Sequence, residues 1–442
     1  MMMEAYFQDL AATIDGALQA GESYTAAFSA EATDYIRFNR GRVRQPGTVT
    51  QVAISVDLIR GRRHATSSLT LAGRIADDAA LIRWTLAELR TVLQSVPEDP
   101  YLQYSTEVRS STNRRRTALV PAERAVDAIV AASDGMDMVG IYAAGNICRG
   151  FANSLGQRNW HEVDNFNFDW SLYHHGDKAV KSAYAGFDWS DAELDARMKS
   201  ARFQLEHLKT PPRSLEPGRY SAYFAPAALQ ELLDMMRWGG FSEKQKQVKQ
   251  SPLQKLYDGQ LQLSELVTMT EHPVGGLAPS FQSEGYLKPA VLPLITRGQP
   301  ASTMISPRTA QEYALDANGA DSNESPESVD MAGGTLAEAD AMTALDTGIF
   351  IGNLWYCNFS DRMNCRVTGM TRFASFWVEH GKIVAPLNVM RFDDSLFRVL
   401  GENLESLTSE PELMIDNHTY DWRSTSSARL PGAQVRDFAL TL

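Results

Sequence analysis

The chain has 442 residues, 44% of them hydrophobic and 22% charged, with a formal net charge of −12. That length is too great for one ordinary core and predicts two or three domains of a soluble globular kind. No apolar run approaches the ~20 residues that a membrane-spanning helix needs, and the one basic cluster, Arg114 to Arg116, lacks neighbouring aromatic residues to stack bases, so neither a membrane nor a nucleic acid is an expected partner.

The opening residues carry acids among polar groups and lack the basic start and apolar middle of a secretory signal, which predicts a cytoplasmic protein. Residues 3–18 form an amphipathic helix with Phe7, Leu10, Ile14 and Leu18 on one side. The period then changes to two. Residues 24–28, 34–38, 49–58 and 64–71 read as strands, with turns at Gly41, Pro46-Gly47 and Gly61, so an antiparallel meander is expected. Ile82, Leu86, Leu89, Leu93 and Val96 define a second helix that covers it. Residues 97–113 read as a connection, and Pro121 opens a helix through Ile129 that stops at Asp134-Gly135. Strands follow at 138–143, 148–154, 166–172 and 179–185. Phe166, Phe168, Trp170 and Leu172 share one face, and such an aromatic run is either core or the lining of a peptide groove. Ser190 and Glu193 form a capping box for a helix with an apolar stripe from Leu194 to Leu208, which Pro211 and Pro212 end.

A strand at 221–224 leads into a helix opened by Pro226 and closed by Gly239-Gly240. Leu229, Leu232, Leu233 and Met236 make its buried stripe, and Gln230, Glu231, Asp234 and Arg237 its other face. A strand feeding a helix with a polar face is where a hydrolase mounts metal ligands or a general base. This helix has neither His nor Cys. Residues 241–256, rich in Lys and Gln, look exposed; from 261 onward the pattern fits β structure with long loops. Residues 317–330 read as an acidic surface loop and a candidate gate. Thr335 and Glu338 make a second capping box before a helix ending near Asp346. Strands at 348–359, 365–373, 376–379 and 382–386, with a tight turn at His380-Gly381, precede a helix at 394–404 and a strand at 435–440. The expected class is α+β, an N-terminal antiparallel sheet with helices followed by a larger mixed, mainly β part. Expected domains are 1–116, 117–212 and 213–442.

Candidate chemistry is sparse. Cys148, Cys357 and Cys365 show no CxxC spacing and read as reduced thiols, although Arg149 beside Cys148 favours a thiolate there. His174-His175 with Asp177, and His161-Glu162, are the clusters of potential metal ligands; adjacent strand residues point to opposite faces, which weighs against one shared ion. His272 sits in a Gly/Pro-rich turn. There is no G-x-S-x-G elbow.

Four segments, in order, resemble the TldD/PmbA family of peptidases: 140–156 (GIYAAGNICRGFANSLG), 218–233 (GRYSAYFAPAALQELL), 275–285 from Gly275-Gly276 to Glu284-Gly285, and 365–387 (CRVTGMTRFASFWVEHGKIVAPL). In the TldD subunits of that family the helix after the Gly-Arg-Tyr strand carries HExxxH, and a Cys near the C-terminus completes a zinc site. The matching positions here are Asp234, Met235 and Gly239, and residues 409–442 contain no Cys. Gly has no donor atom, Met cannot relay a proton, and a lone Asp anchors zinc weakly. The resemblance therefore implies a TldE-like subunit with no catalytic or metal residues and no cofactor of its own. It implies a TldD-like partner carrying zinc, in a heterodimer or larger assembly that cleaves unfolded or ribosomally made peptides, where this half completes the chamber and controls access. Two alternatives stay open: an independent peptide hydrolase with its site relocated around His161, His174 and His175, and a homodimeric peptide-binding protein whose sheet edges accept an added strand. Exposed apolar edges would also favour a homodimer of the isolated chain.

Overall fold

The computed structural model describes residues 3–176 and 178–441. In chain order the first half comprises α1 (Met3–Ala17), β1 (Ser23–Asn39), β2 (Arg42–Arg60), β3 (Arg63–Leu71), α2 (Ile75–Leu93), β4 (Ser111–Arg115), α3 (Ala122–Ala132), β5 (Asp137–Asn153), β6 (Arg158–His175), β7 (Lys178–Gly186) and α4 (Asp191–Leu208). Its strands form one sheet in the order β3-β2-β1-β5-β6-β4, with β7 sharing the outer side of β6 with β4. All pairs are antiparallel except β4 with β6.

Strand alternation decides what each face of this sheet does. Even-numbered side chains of β1, β5 and β6 point to the helices: Phe28, Ala30, Cys148 and Trp160 pack with α1 and α2, and Ile36, Phe38, Tyr142, Phe166, Phe168 and Trp170 pack with α3 and α4. Ser190 caps α4 by accepting from Glu193 N. Odd-numbered side chains look the other way and are unusually polar for buried groups: Glu31, Thr33, His161, Asn165 and Asn167. They face the second half of the chain.

That half contains β8 (Gly218–Phe224), α5 (Pro226–Arg237), α6 (Glu243–Gln247), α7 (Gln254–Tyr257), β9 (Met269–Glu271), β10 (Leu292–Thr296), β11 (Gln299–Pro300), α8 (Pro307–Tyr313), β12 (Ser328–Met331), α9 (Ala341–Leu345), β13 (Gly348–Asp361), β14 (Arg366–Glu379), β15 (Lys382–Pro386), β16 (Arg391–Ser395), β17 (Leu404–Leu407), β18 (Glu412–Ile415), β19 (Ser427–Leu430) and β20 (Ala433–Leu440). One mixed sheet runs β11-β10-β9-β12-β19-β18. In the other, β13-β8-β20-β16-β14, the outer strands β13 and β14 also pair, so the ring closes, with β15 on β14 and β17 on β20. The stripe of α5 (Leu229, Leu232, Leu233, Met236) is fully buried in the core between these two sheets. The two halves are tied by Arg423, which is buried against the Asn165 carbonyl while its backbone N–H donates to Glu31 Oε2 at 2.9 Å. Burial pushes this guanidinium down to about 10.

The architecture is the expected α+β arrangement, with corrections in detail. Pro46-Gly47 is no turn: both lie inside β2 opposite Ile36 and Tyr35, tolerated because β3 pairs only with 52–60 and leaves this stretch of β2 as an edge. The predicted pairs 24–28/34–38 and 138–143/148–154 are single strands, β1 and β5, and the connection at 97–113 hides β4. Residues 241–256 are exposed only in their Lys- and Gln-rich middle, at 244 and 247–250, since Phe241, Glu243, Leu253 and Leu256 are buried. Nor is 317–330 a surface loop: Glu324 is buried, accepting from Ser242 Oγ, Lys244 N and Ser306 N, and Val329 enters β12. Thr335 does not cap the helix near 338, whose N-cap is Ala337. Residues 394–404 hold the end of β16 and one turn at Arg398–Glu402 instead of a regular helix. No helix among the described residues is long and apolar enough to cross a membrane.

One buried ion pair locks α2 onto the start of β1. The side chain of Glu22 is inaccessible to solvent, receives Arg90 through Nε and Nη2 at 2.9 Å each, and pairs with Arg60. The Arg90 hydrogen bonds hold the Glu22 carboxyl below its usual range. We predict that Glu22→Gln costs about 2 kcal/mol in urea unfolding at pH 7, below the ~3–5 kcal/mol of a fully buried pair because Arg90 is partly exposed. A carboxyl whose folded-state pKa is depressed contributes stability above the unfolded value and loses it as pH falls through the folded one. The gap between wild type and Glu22→Gln should therefore be constant above about pH 5 and close below about pH 4.

Candidate functional site

The polar face of α5 opens onto a cleft between the two halves of the chain. Pro226 at the first position fixes the start of this helix, and its apolar stripe fixes its rotation, so Gln230, Glu231, Asp234 and Arg237 turn away from the core. One cavity of about 190 Å³ lies between Glu231 and Asp234 of α5, Asn167 and Asp169 of β6, Asn353 of β13, and the end of β18 with Asp416. A second, of about 370 Å³, continues along α5 past Arg237 and Trp238 to Ser325 and Ser426. Gln230, Asp234 and Asp416 border both, which makes them one cleft.

Its electrostatics are those of crowded carboxylates. Burial, then the neighbouring Asp234, raises the Glu231 carboxyl above its usual range. Asp234 is half open to the cleft, but protein surrounds that solvent and raises its carboxyl too, with Arg237 Nη1 at 3.0 Å opposing the shift and Asp416 adding to it. Cys357 sits close enough to both that burial and these two carboxylates push its thiol up to about 12.

The three positions matching HExxxH do not converge on this cleft. Asp234 faces it. Met235, one residue on, is buried in the core cluster with the apolar stripe. Gly239 follows the helix end at φ +79°, where a Cβ would stand 2.6 Å from Arg362 Nη2. That guanidinium donates to Trp238 O at 2.7 Å and Gln250 O at 3.2 Å and lies over the Phe359 ring at 4.9 Å. Zinc requires several N, S or O donors, and here one carboxylate remains, beside a thiol held protonated and a fixed positive charge. These residues do not fit the metal. Among the described residues no group of three or more His, Cys, Asp or Glu is placed to hold an ion.

The other sequence candidates are dispersed. His161 is buried, its Nε2 3.0 Å from Leu277 O and its Nδ1 without a partner among the described residues, and burial pushes its pKa down to about 4. His174 and His175 are exposed at the far end of the same strand, roughly 43 Å away by strand rise, and Asp177 lies outside the described residues. Cys148 is buried, and burial pushes its thiol up to about 12; Arg149 reaches only its carbonyl, so the expected thiolate is not favoured. His272 pairs with Asp330 at 2.9 Å. Cys357 and Cys365 are free thiols on either side of the Arg362–Asn364 turn. The cleft residues that sequence reading missed include Asn167, Asp169, Asn353 and Asp416. The first two were legible as the polar alternates of the Phe166–Leu172 run, whereas nothing near Asp416 in the sequence points to α5.

Residues 217–441, just over half of the chain, match the family described as PmbA/TldA metallopeptidase C-terminal domain. The chain belongs to this PmbA/TldD family. No curated protein matches it in sequence. Among solved structures it is similar to TldE from Thermococcus kodakarensis, with TM-score 0.79 and 13% identity over 99% of this chain and 100% of that one. It is also similar to two proposed modulators of DNA gyrase. The one from Thermotoga maritima has TM-score 0.76 and 14% identity over 99% and 100% of the two chains. The one from Bacteroides thetaiotaomicron has TM-score 0.76 and 15% identity over the whole of both. At these identities the likeness is one of fold.

The crowding at Gly239 is measurable. Gly239→Ala should destabilise by about 2 kcal/mol, part from the left-handed backbone and part from displacing Arg362. In an Arg362→Ala background only the backbone part remains, so a double-mutant cycle should give a coupling of about 1 kcal/mol. Strict additivity would show that the guanidinium does not occupy this space.

Proposed function

We propose that this chain is a TldE-type subunit with no catalysis of its own, paired in the cytoplasm with a TldD-like subunit that carries the zinc. The observation that carries the reading is the end of α5: Met235 is turned into the core, and Gly239, which has no donor, lies past the helix end beside the Arg362 guanidinium. The family membership and the fold shared with an archaeal TldE support it. So does the cleft itself, which keeps walls and volume while no His among the described residues lines it.

A peptide is the ligand class that suits these walls. Among the described residues β7 pairs with β6 alone and β18 with β19 alone, and both strands border the cleft, so their edges can offer backbone groups to an extended chain, except at Ala183, whose carbonyl already accepts from Arg197 Nη1. In the assembly this half would complete the chamber and limit which peptides reach the partner's metal. The relocated-site alternative needs His161, His174 and His175 together, and β6 holds them at opposite ends.

Co-expression with a paralogue bearing HExxxH tests the proposal. The two chains should elute together from size-exclusion chromatography, and the mixture should hydrolyse an unfolded peptide that this chain alone leaves intact. Hydrolysis by this chain alone, abolished by a chelator, would falsify the reading.

A further inference from the structure

Two buried amides open onto the smaller cavity. Asn167 and Asn353 are each more than nine-tenths buried, both border the cavity, and neither side chain makes a hydrogen bond among the described residues. Their amide groups therefore keep their donors and acceptors free for whatever occupies the cavity, water or a ligand. These two come from different elements, β6 and β13, and meet at the same cavity.

The charges around them are just as one-sided. Asp169, Glu231, Asp234, Glu412 and Asp416 border the cavity against a single cation, Lys181. Asp169 is 3.9 Å from Lys181, Asp234 pairs with Arg237, and Glu412 pairs with Arg197. Glu231 and Asp416 have no ion-pair partner among the described residues. Burial and the neighbouring Asp234 raise the Glu231 carboxyl, so a cation that reached it would favour its ionised form, and Asp416 beside it is likewise unpaired. A metal ion does not suit this site, since among the described residues no three ligands are gathered for one. An alkylammonium or guanidinium does, because it requires carboxylates in a cavity and no fixed coordination geometry.

We propose that this cavity is a subsite for a lysine or arginine side chain of an extended peptide. Glu231 and Asp416 receive the cation, and Asn167 and Asn353 hydrogen-bond the peptide groups on either side of it. An amide side chain supplies both a donor and an acceptor, which matches the N–H and C=O of a main chain whatever its sequence. The subsite rests on the reading of this chain as a peptide-handling subunit, but it belongs to this chain alone.

The test uses the isolated chain, so its failure is separate from failure of the partnership. A labelled Gly-Ala-Lys-Ala-Gly peptide is titrated by fluorescence anisotropy beside versions with norleucine or Glu in place of Lys, and with spermidine as competitor. The Lys peptide should bind at least about tenfold tighter than either analogue. Glu231→Gln should remove most of that preference without changing the norleucine affinity, and Asn353→Ala should weaken all three peptides alike. Spermidine, which has the cation but no peptide groups, should not compete at equal concentration. Equal binding of the Lys and norleucine peptides overturns the proposal, as does an unchanged preference in Glu231→Gln. Competition by spermidine at parity overturns the role of the amides. Glu231→Gln is isosteric and cleft-facing, so it keeps the test decisive even if Asn353→Ala fails to fold.

Discussion

The guanidinium of Arg362, packed against the C-terminal end of α5, is the contact on which the character of the cleft depends. It caps the helix through Trp238 O, crosses to Gln250 O, and lies over the ring of Phe359. In this position its Nη2 stands 2.6 Å from where a Cβ on Gly239 would be. A side chain there would have to displace a charged group held by two hydrogen bonds and an aromatic face, in a backbone conformation that favours glycine. The last turn of α5 is thus committed to structure. What remains for chemistry is the middle of the helix, where Glu231 and Asp234 face the cleft.

The rest of the architecture brings walls to that helix. The first sheet spends its apolar alternates on four helices and presents polar alternates, including Asn167 and Asp169, to the second half of the chain. The closed sheet of β13, β8, β20, β16 and β14 supplies the strand before α5 and the Asn353 beside it. The other mixed sheet supplies β18 and, just after it, Asp416. Three sheets therefore meet at one helix face. Their common product is a cavity rich in carboxylates and amides.

Much of this was legible in the sequence, and the illegible parts share a cause. The two faces of α5 follow directly from its spacing, and the hairpin at His380-Gly381 from its turn residues, both of which take positive φ. The breaks wrongly read at Pro46-Gly47 and near Gly145 come from treating local turn formers as sufficient, when pairing with β1 across the whole length overrides them. Residues 317–330 look solvated because nothing local reveals that Glu324 receives three hydrogen bonds from 242–244 and 306. The end of α5 is similar. The sequence shows that Gly239 offers no donor, but only the folded hairpin of β13 and β14 shows that Arg362 stands beside it. Asp416 lies some 180 residues from α5 and enters the cleft through sheet order alone.

The central claim is that α5 lines a cleft in which the positions matching HExxxH do not gather the donors a zinc ion needs. Crystals of the isolated protein grown with zinc and measured at the zinc absorption edge test it most directly. The account predicts no anomalous peak within bonding distance of Asp234. A peak joined to Asp234 and Cys357, with Arg362 swung away from Gly239, would contradict it.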